Sequence, residues 1–438
     1  MALLTILFCI ILLVILVSWG KVNPFVAFLI VSITAGLLLG IPLDKVTASV
    51  QKGLGETLGS ITIIICLGAM LGKLVANSGA AQKIADVLVN AFGVKYIQWA
   101  LVIVGFIIGI PLFYNTGFVL VVPLIFSVTY KYKLPAVYIG LPMLAALSVT
   151  HGFLPPHPSP SALVLIFHAD MGKTLIYGLI LAIPTVIIAG PVFARTLKKI
   201  QSHPLDTFVA EELPADKLPG TANSFLSALL PVILLMATTI YLNIDHSTGS
   251  THKLIAFIGD TPIVMLISLI VATYTLGVKQ DKTMKALGGL YGDAVKDISL
   301  ILLIIAGSGA FKQVLTDSGI STVIATSLQS FNLEPLFLGW LIAAIIRVSL
   351  GSATVAGLTA AGIVSTMVIN NPSINPSLMV LSIGAGSLAF SHVNDGGFWL
   401  FKEYFNLSIK DTIRSWSLME SIVSVVGLIG VLVLKQIV

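Results

Sequence analysis

Charge is scarce in this sequence: Asp, Glu, Lys and Arg make up 10 % of 438 residues, against 57 % apolar. A soluble chain needs far more charge than that to cover its surface, so a soluble multidomain protein is excluded. Cysteine is scarcer still. Cys9 and Cys66 both sit inside apolar runs, which offers neither a disulfide framework nor a thiolate metal site and makes both packing residues. Missing as well are HExxH, a GxSxG elbow and any paired metal-ligand spacing, so an intramembrane hydrolase has no catalytic motif, and no metal or cofactor is expected. The net charge of +5 comes from Lys and Arg scattered between apolar runs, never in a patch interleaved with aromatics, and this argues against a nucleic-acid partner.

What is abundant is apolar sequence in runs long enough to cross about 30 Å of hydrocarbon, so the expected surroundings are lipid. The first run, 3–17, has no Lys or Arg ahead of it and is followed by Ser18, Trp19, Gly20 and Lys21, so it reads as a retained span. Hydropathy with Gly, Pro and charge punctuation predicts spans near 3–20, 25–40, 60–76, 98–113, 117–130, 135–150 and 175–195. A second series follows near 225–242, 262–278, 298–316, 335–349, 351–369, 377–391 and 415–435. The expected fold is an all-α polytopic membrane protein with about 12–14 transmembrane helices. Residues 1–195 form an N-terminal transmembrane repeat, 196–223 a linker with Lys198, Lys199, Asp206, Glu211, Glu212, Asp216 and Lys217, and 224–438 a C-terminal repeat. Loops holding Lys21, Lys131, Lys133, Arg195 to Lys199 and Lys402 to Arg414 fall on one side of this count, which the positive-inside bias makes cytoplasmic, with both termini outside.

The two halves echo each other. Lys73-Leu74, Ser78-Gly79 and Ile84-Ala85 recur as Gln313-Val314, Ser318-Gly319 and Ile324-Ala325, a constant offset of 240 residues. Trp99 matches Trp340, Gly117 matches Gly357, and 146–151 resembles 387–392 at nearly the same offset. An odd number of predicted crossings separates the copies, so the second enters the bilayer from the opposite face. Two such inverted-topology repeats let one site face either side by rocking.

Each repeat ends an apolar span in a broken or re-entrant hairpin. Ser148 to Pro160 reads SVTHGFLPPHPSP, with four prolines in six residues, and Ser387 to Trp399 reads SLAFSHVNDGGFW, loosened by Gly396-Gly397. Such backbone survives at membrane depth only where protein buries it or water lines it, and its occurrence at corresponding places of two halves points to a transport site. Open helix ends there offer amide donors to a carboxylate. Around them Asn115, Thr150, His151, Ser391, His392 and Asn394 supply donors and acceptors for hydroxyls, and Ser148 and His157 lie in the same strings. Ionisable groups at such depth cost several kcal/mol unless paired or hydrated, which makes His151, His392 and Asp395 candidates for loading and releasing a proton. Either histidine can equally cap a helix carbonyl. Arg347, in RVSLGSAT, has three readings open: a partner for a substrate carboxylate, a partner for Asp395, or a snorkelling interfacial charge.

The strings NTGFVLVVPLIF from Asn115, LSVTHGFLPPHPSPSAL from Leu147, ADMGKTLIYG from Ala169, GSATVAGLTAAGI from Gly351 and FSHVNDGGFWLFKEYFNLS from Phe390 resemble the gluconate permease family of bacterial secondary transporters over essentially the full chain. The resemblance implies import of gluconate or a related sugar acid by proton symport across the bacterial inner membrane. It places the chain in the ion-transporter superfamily, with inverted repeats, paired re-entrant hairpins and a homodimer. One departure is Gly396, where that family tends to have proline. Because the family also includes carriers of D-serine, a D-serine or other small hydroxy-acid symporter, proton- or Na⁺-coupled, is the alternative. A channel is a third reading, and it would not accumulate solute against a gradient.

Overall fold

The computed structural model describes residues 2–109, 114–155, 157–202, 205, 213–244, 249–320, 333–369, 371 and 373–438. Among them every regular element is helical. The second echo of the repeat at Ile324-Ala325, and Asp206, Glu211 and Glu212 of the linker, lie outside the described residues.

In the first half the helices are α1 (Ala2–Ser18), α2 (Pro24–Leu38), α3 (Leu43–Asn77), α4 (Ala80–Gly109), α5 (Tyr114–Tyr132), α6 (Ala136–Phe153), α7 (Pro158–Ile166) and α8 (Met171–Ile187). The second half has α9 (Thr221–Ile244), α10 (Ser250–Ile258), α11 (Thr261–Ala272), α12 (Met284–Asp317), α13 (Pro335–Leu350) and α14 (Ala353–Ile369). It closes with α15 (Pro376–Gly386), α16 (Gly396–Tyr404), α17 (Ile409–Thr412) and α18 (Leu418–Leu434). Wider π-helical turns extend α8 over Ile188–Val192 and α11 over Thr273–Gly277, and a third, Ile413–Ser417, joins α17 to α18. Eight helical stretches among the described residues are long and apolar enough to cross a membrane, and six shorter apolar helices accompany them.

Local signals set the boundaries. Asn23, Asp170, Glu334 and Asn375 each accept a hydrogen bond from a first-turn amide, and at α2, α13 and α15 a proline follows at the first helical position. Helices α3 and α12 end alike: Gly79 (φ +79°) and Gly319 (φ +69°) both take the left-handed conformation that stops a helix. The same ending 240 residues apart extends the echo seen in the sequence.

Two predicted spans are about half the length of the helices that contain them. Helices α3 and α12 have 35 and 34 residues, so each begins well before the predicted starts at 60 and 298. Their first halves carry Asp44, Lys45, Lys52 and Glu56, or Lys285, Asp293, Lys296 and Asp297, and such charge hides a helix from a hydropathy window. Helix α4 likewise begins at Ala80, and a bend at Gly93 (φ +71°) separates its first turns from the predicted span.

The chain divides into two compact units. One comprises Met1–Gly59, Ser148–Leu197 and Ile301–Val438, and the other Ser60–Leu147 and Lys198–Leu300. In the first, α15 packs against α13, α18 and α8, and α14 packs on α7. Ser382 Oγ donates to the Leu336 carbonyl (2.6 Å), and Trp340 Nε1 donates to Ser424 Oγ (3.0 Å), locking α15 and α18 onto α13. The second unit is built on α4 against α5 and α9, and α9 against α11. Its core includes Leu71, Leu74, Leu269, Leu276 and Leu287.

Candidate functional site

Both chain breaks lie in the first unit. Helix α6 carries Ser148, Thr150 and His151 and stops at Phe153, because Leu154 precedes Pro155 and a residue before proline is driven from helical geometry. The sequence reading had this stretch irregular from 148. It is helical to 153, since Pro155 constrains the residue before it and leaves the upstream turns intact. The next helix, α7, starts at Pro158 with His157 in the cap position. The rings of His151 and buried His157 meet nearly perpendicularly, centroids 5.2 Å apart. Nδ1 of His151 is buried without a hydrogen-bond partner. Thr150 is fully buried. Pro158 and Pro160 contribute no N–H, so this helix start offers fewer amide donors than the open terminus expected from sequence.

The second break, 387–395, is held by its own polar groups. The last carbonyls of α13 have no partner within the helix. His392 Nε2 meets the Val348 carbonyl at 2.8 Å, and Asn394 Nδ2 donates to those of Val348 (2.8 Å) and Ser349 (3.1 Å). Gly351 donates its N–H to the Arg347 carbonyl and has φ +71°, and a Cβ on it would collide with the Asn394 backbone carbonyl. Only glycine fits there. Thus His392 does cap helix carbonyls, one of the two roles left open by the sequence, and Asn394 joins it. Asn394 Oδ1 is buried and unpartnered.

Arg347 is 5 % exposed and forms an ion pair with Asp395, Nη2 to Oδ2 at 2.5 Å, one of its three readings, which leaves its other nitrogens open to a substrate carboxylate. Its Nε is buried without a partner. The carboxylate of Asp395 is fully engaged: Oδ2 also accepts from Ser391 Oγ, and Oδ1 accepts from the Gly397 N–H (3.0 Å), capping α16. Ser391 Oγ in turn accepts from Trp416 Nε1 (2.7 Å) in the π-helical turn. The amide terminus of α16, expected to be open to a carboxylate, is therefore filled by Asp395.

One functional candidate escaped the sequence reading. Glu420, in the first turn of α18, is 1 % exposed and accepts from Ser148 Oγ at 2.6 Å. The signal was a lone acid among apolar residues, Leu418-Met419-Glu420-Ser421-Ile422, at the edge of the last predicted span. Glu420 shares this unit with Arg347, Asp395, His151 and His157. Asn115 is half-buried in the first turn of α5 and belongs to the second unit.

A family model of GntP family permeases matches residues 1–438. The chain belongs to that family. It is 47 % identical over 430 residues to a high-affinity gluconate transporter of Escherichia coli K12, covering 98 % of each chain. A gluconate permease of Bacillus subtilis 168 is 45 % identical, with 95 % of this chain and 96 % of the relative covered, and an L-idonate transporter of E. coli K12 is 43 % identical, with 97 % of each covered. Among solved structures, the Alcanivorax borkumensis YdaH transporter aligns with 95 % of this chain and 98 % of its own at a TM-score of 0.44 and 16 % identity.

This GntP family permease is thus a multi-pass membrane protein that moves a solute, and it is not an enzyme. Within the permease, the first unit brings together seven of the residues singled out from sequence: Thr150, His151, Arg347, Ser391, His392, Asn394 and Asp395. Among the described residues no cluster of His, Cys, Asp or Glu could hold a metal ion.

Proposed function

We propose that this permease imports gluconate or a related sugar acid together with protons across the bacterial inner membrane. One observation carries the site: three buried polar atoms in the same unit, Arg347 Nε, Asn394 Oδ1 and His151 Nδ1, lack partners among the described residues. Buried polar atoms without partners are uncommon and cost about 1–3 kcal/mol each, and here they match what a polyhydroxylated anion brings. Arg347 Nε donates to the carboxylate, and Asn394 Oδ1 and His151 Nδ1 serve hydroxyls. Thr150 and Ser391, and separately Asn115, are further proposed contacts, and His151, His392 and Asp395 belong to the path of the coupled proton. The relatives named as gluconate and L-idonate transporters support a sugar acid. A zwitterion such as D-serine is less well served, because the carboxylate its ammonium needs, Asp395, is already engaged by Arg347, Ser391 and Gly397.

Alternating access by inverted repeats is part of the same reading, supported by the shared 240-residue offset of α3 with α12 and of their terminal glycines. The superfamily resemblance adds a homodimer. The test is labelled gluconate uptake into sealed liposomes under an inward proton gradient, an inward Na⁺ gradient, or neither. Accumulation with the proton gradient alone is the expected result. Accumulation that follows Na⁺ would overturn the coupling, and none under any gradient would overturn the substrate.

A further inference from the structure

Two acids of the first unit, Asp395 and Glu420, differ in how they are satisfied. Asp395 is balanced by Arg347 and uses both oxygens. Glu420 is more deeply buried, accepts one hydrogen bond on Oε1 from Ser148, and has no partner on Oε2. Among the described residues no cation lies within ion-pairing distance of it.

That arrangement leaves Oε2 of a carboxylate without a donor, whereas a neutral acid can donate its O–H to Ser148 Oγ. A carboxylate needs donors or a cation at Oε2, and a neutral acid needs an acceptor for its O–H. A change of protonation therefore reverses the hydrogen bond with Ser148. The groups that surround Glu420 are few. Ser148 bonds it from α6, which carries His151 one turn further along; Arg347 on α13 and Asp395 in the second break act on it through space. Helix α15, which packs against α18, contains no titratable residue. On α8, Lys173 is exposed and Tyr177 half-buried; Arg414, in the turn before α18, is exposed.

Resting on the symport reading above, we propose that Glu420 is the principal proton-carrying carboxyl of this permease, coupled to substrate through Arg347. When the substrate carboxylate reaches Arg347 it adds a negative charge near Glu420, and proton uptake at the Glu420 carboxylate offsets that charge. An O–H bond forms there with a proton drawn from the outer aqueous side. When the substrate leaves inward, the bond breaks and the proton passes to inner water. By linkage, the proton must then favour substrate binding by the same factor that substrate favours proton binding.

The test uses the purified full-length protein in liposomes containing a pH-sensitive dye, with labelled gluconate outside. In the wild type, gluconate entry carries protons in and acidifies the lumen. Glu420→Gln is expected to lose proton-driven accumulation by roughly tenfold or more while gluconate–gluconate exchange, which needs no net proton movement, falls less than about threefold. Ser148→Ala, milder for folding, is expected to keep accumulation but displace the pH midpoint of uptake by roughly half a unit to one unit. The proposal is overturned if Glu420→Gln accumulates gluconate with wild-type proton movement, if it loses exchange and accumulation equally, or if Ser148→Ala leaves the pH profile in place. A wild type that ignores the proton gradient would instead overturn the symport reading itself, and that arm is read before any variant.

Discussion

The two breaks of the first unit solve one problem in opposite ways. After α15 the chain leaves the helix for nine residues, and nearly every polar group is spent on structure: His392 and Asn394 cap α13, Asp395 caps α16 and pairs with Arg347, and Ser391 links Asp395 to Trp416. After α6 the next helix starts at Pro158, Pro155 stops α6, and His151 Nδ1 has no partner among the described residues. The second break is a hydrogen-bonded scaffold that fixes Arg347 and leaves Asn394 Oδ1 unspent, while the first, stopped by proline, leaves His151 Nδ1 unspent.

Substitutions can break that comparison. The largest effect is expected from Arg347→Ala, which strands the Asp395 carboxylate in a buried setting and should cost about 3–5 kcal/mol, read as an earlier thermal unfolding transition in detergent. Adding Asp395→Asn should recover part of the loss, and no recovery would show that the pair is not the unit of stability. Gly351→Ala comes next, because alanine disfavours φ +71° and its Cβ meets the Asn394 carbonyl; more than about 1 kcal/mol should be lost, with uptake falling in parallel. Asn394→Ala removes a donor to two carbonyls of α13 and should cost about 1–2 kcal/mol by the same unfolding assay. The smallest stability effect is expected from His151→Ala, below about 1 kcal/mol because Nδ1 bonds nothing, together with a loss of gluconate uptake. If His151→Ala unfolds the protein as readily as Arg347→Ala, the two breaks are not different in kind.

Much of this was legible in the sequence, and the misses have physical causes. The breaks announced themselves through Pro155 to Pro160 and Gly396-Gly397, and the Arg347–Asp395 pair stood among the readings because neither charge is tolerable alone at depth. Whether His392 binds substrate or caps a helix was open, since both need the same nitrogen, and only its 2.8 Å approach to Val348 shows the capping. The extra turns of α3 and α12 were invisible to hydropathy because helices persist through charged residues that a transfer scale penalises. Glu420 was passed over because its partner, Ser148, lies 272 residues away, a separation no local pattern encodes.

The most direct test of the central claim, a site built to hold a sugar acid at Arg347, is equilibrium binding of labelled gluconate to the purified protein with unlabelled gluconate, L-idonate and D-serine as competitors. Saturable binding displaced by the two sugar acids and untouched by D-serine is the expected result. Binding displaced by D-serine as readily as by gluconate, or binding that survives Arg347→Lys undiminished, would contradict it.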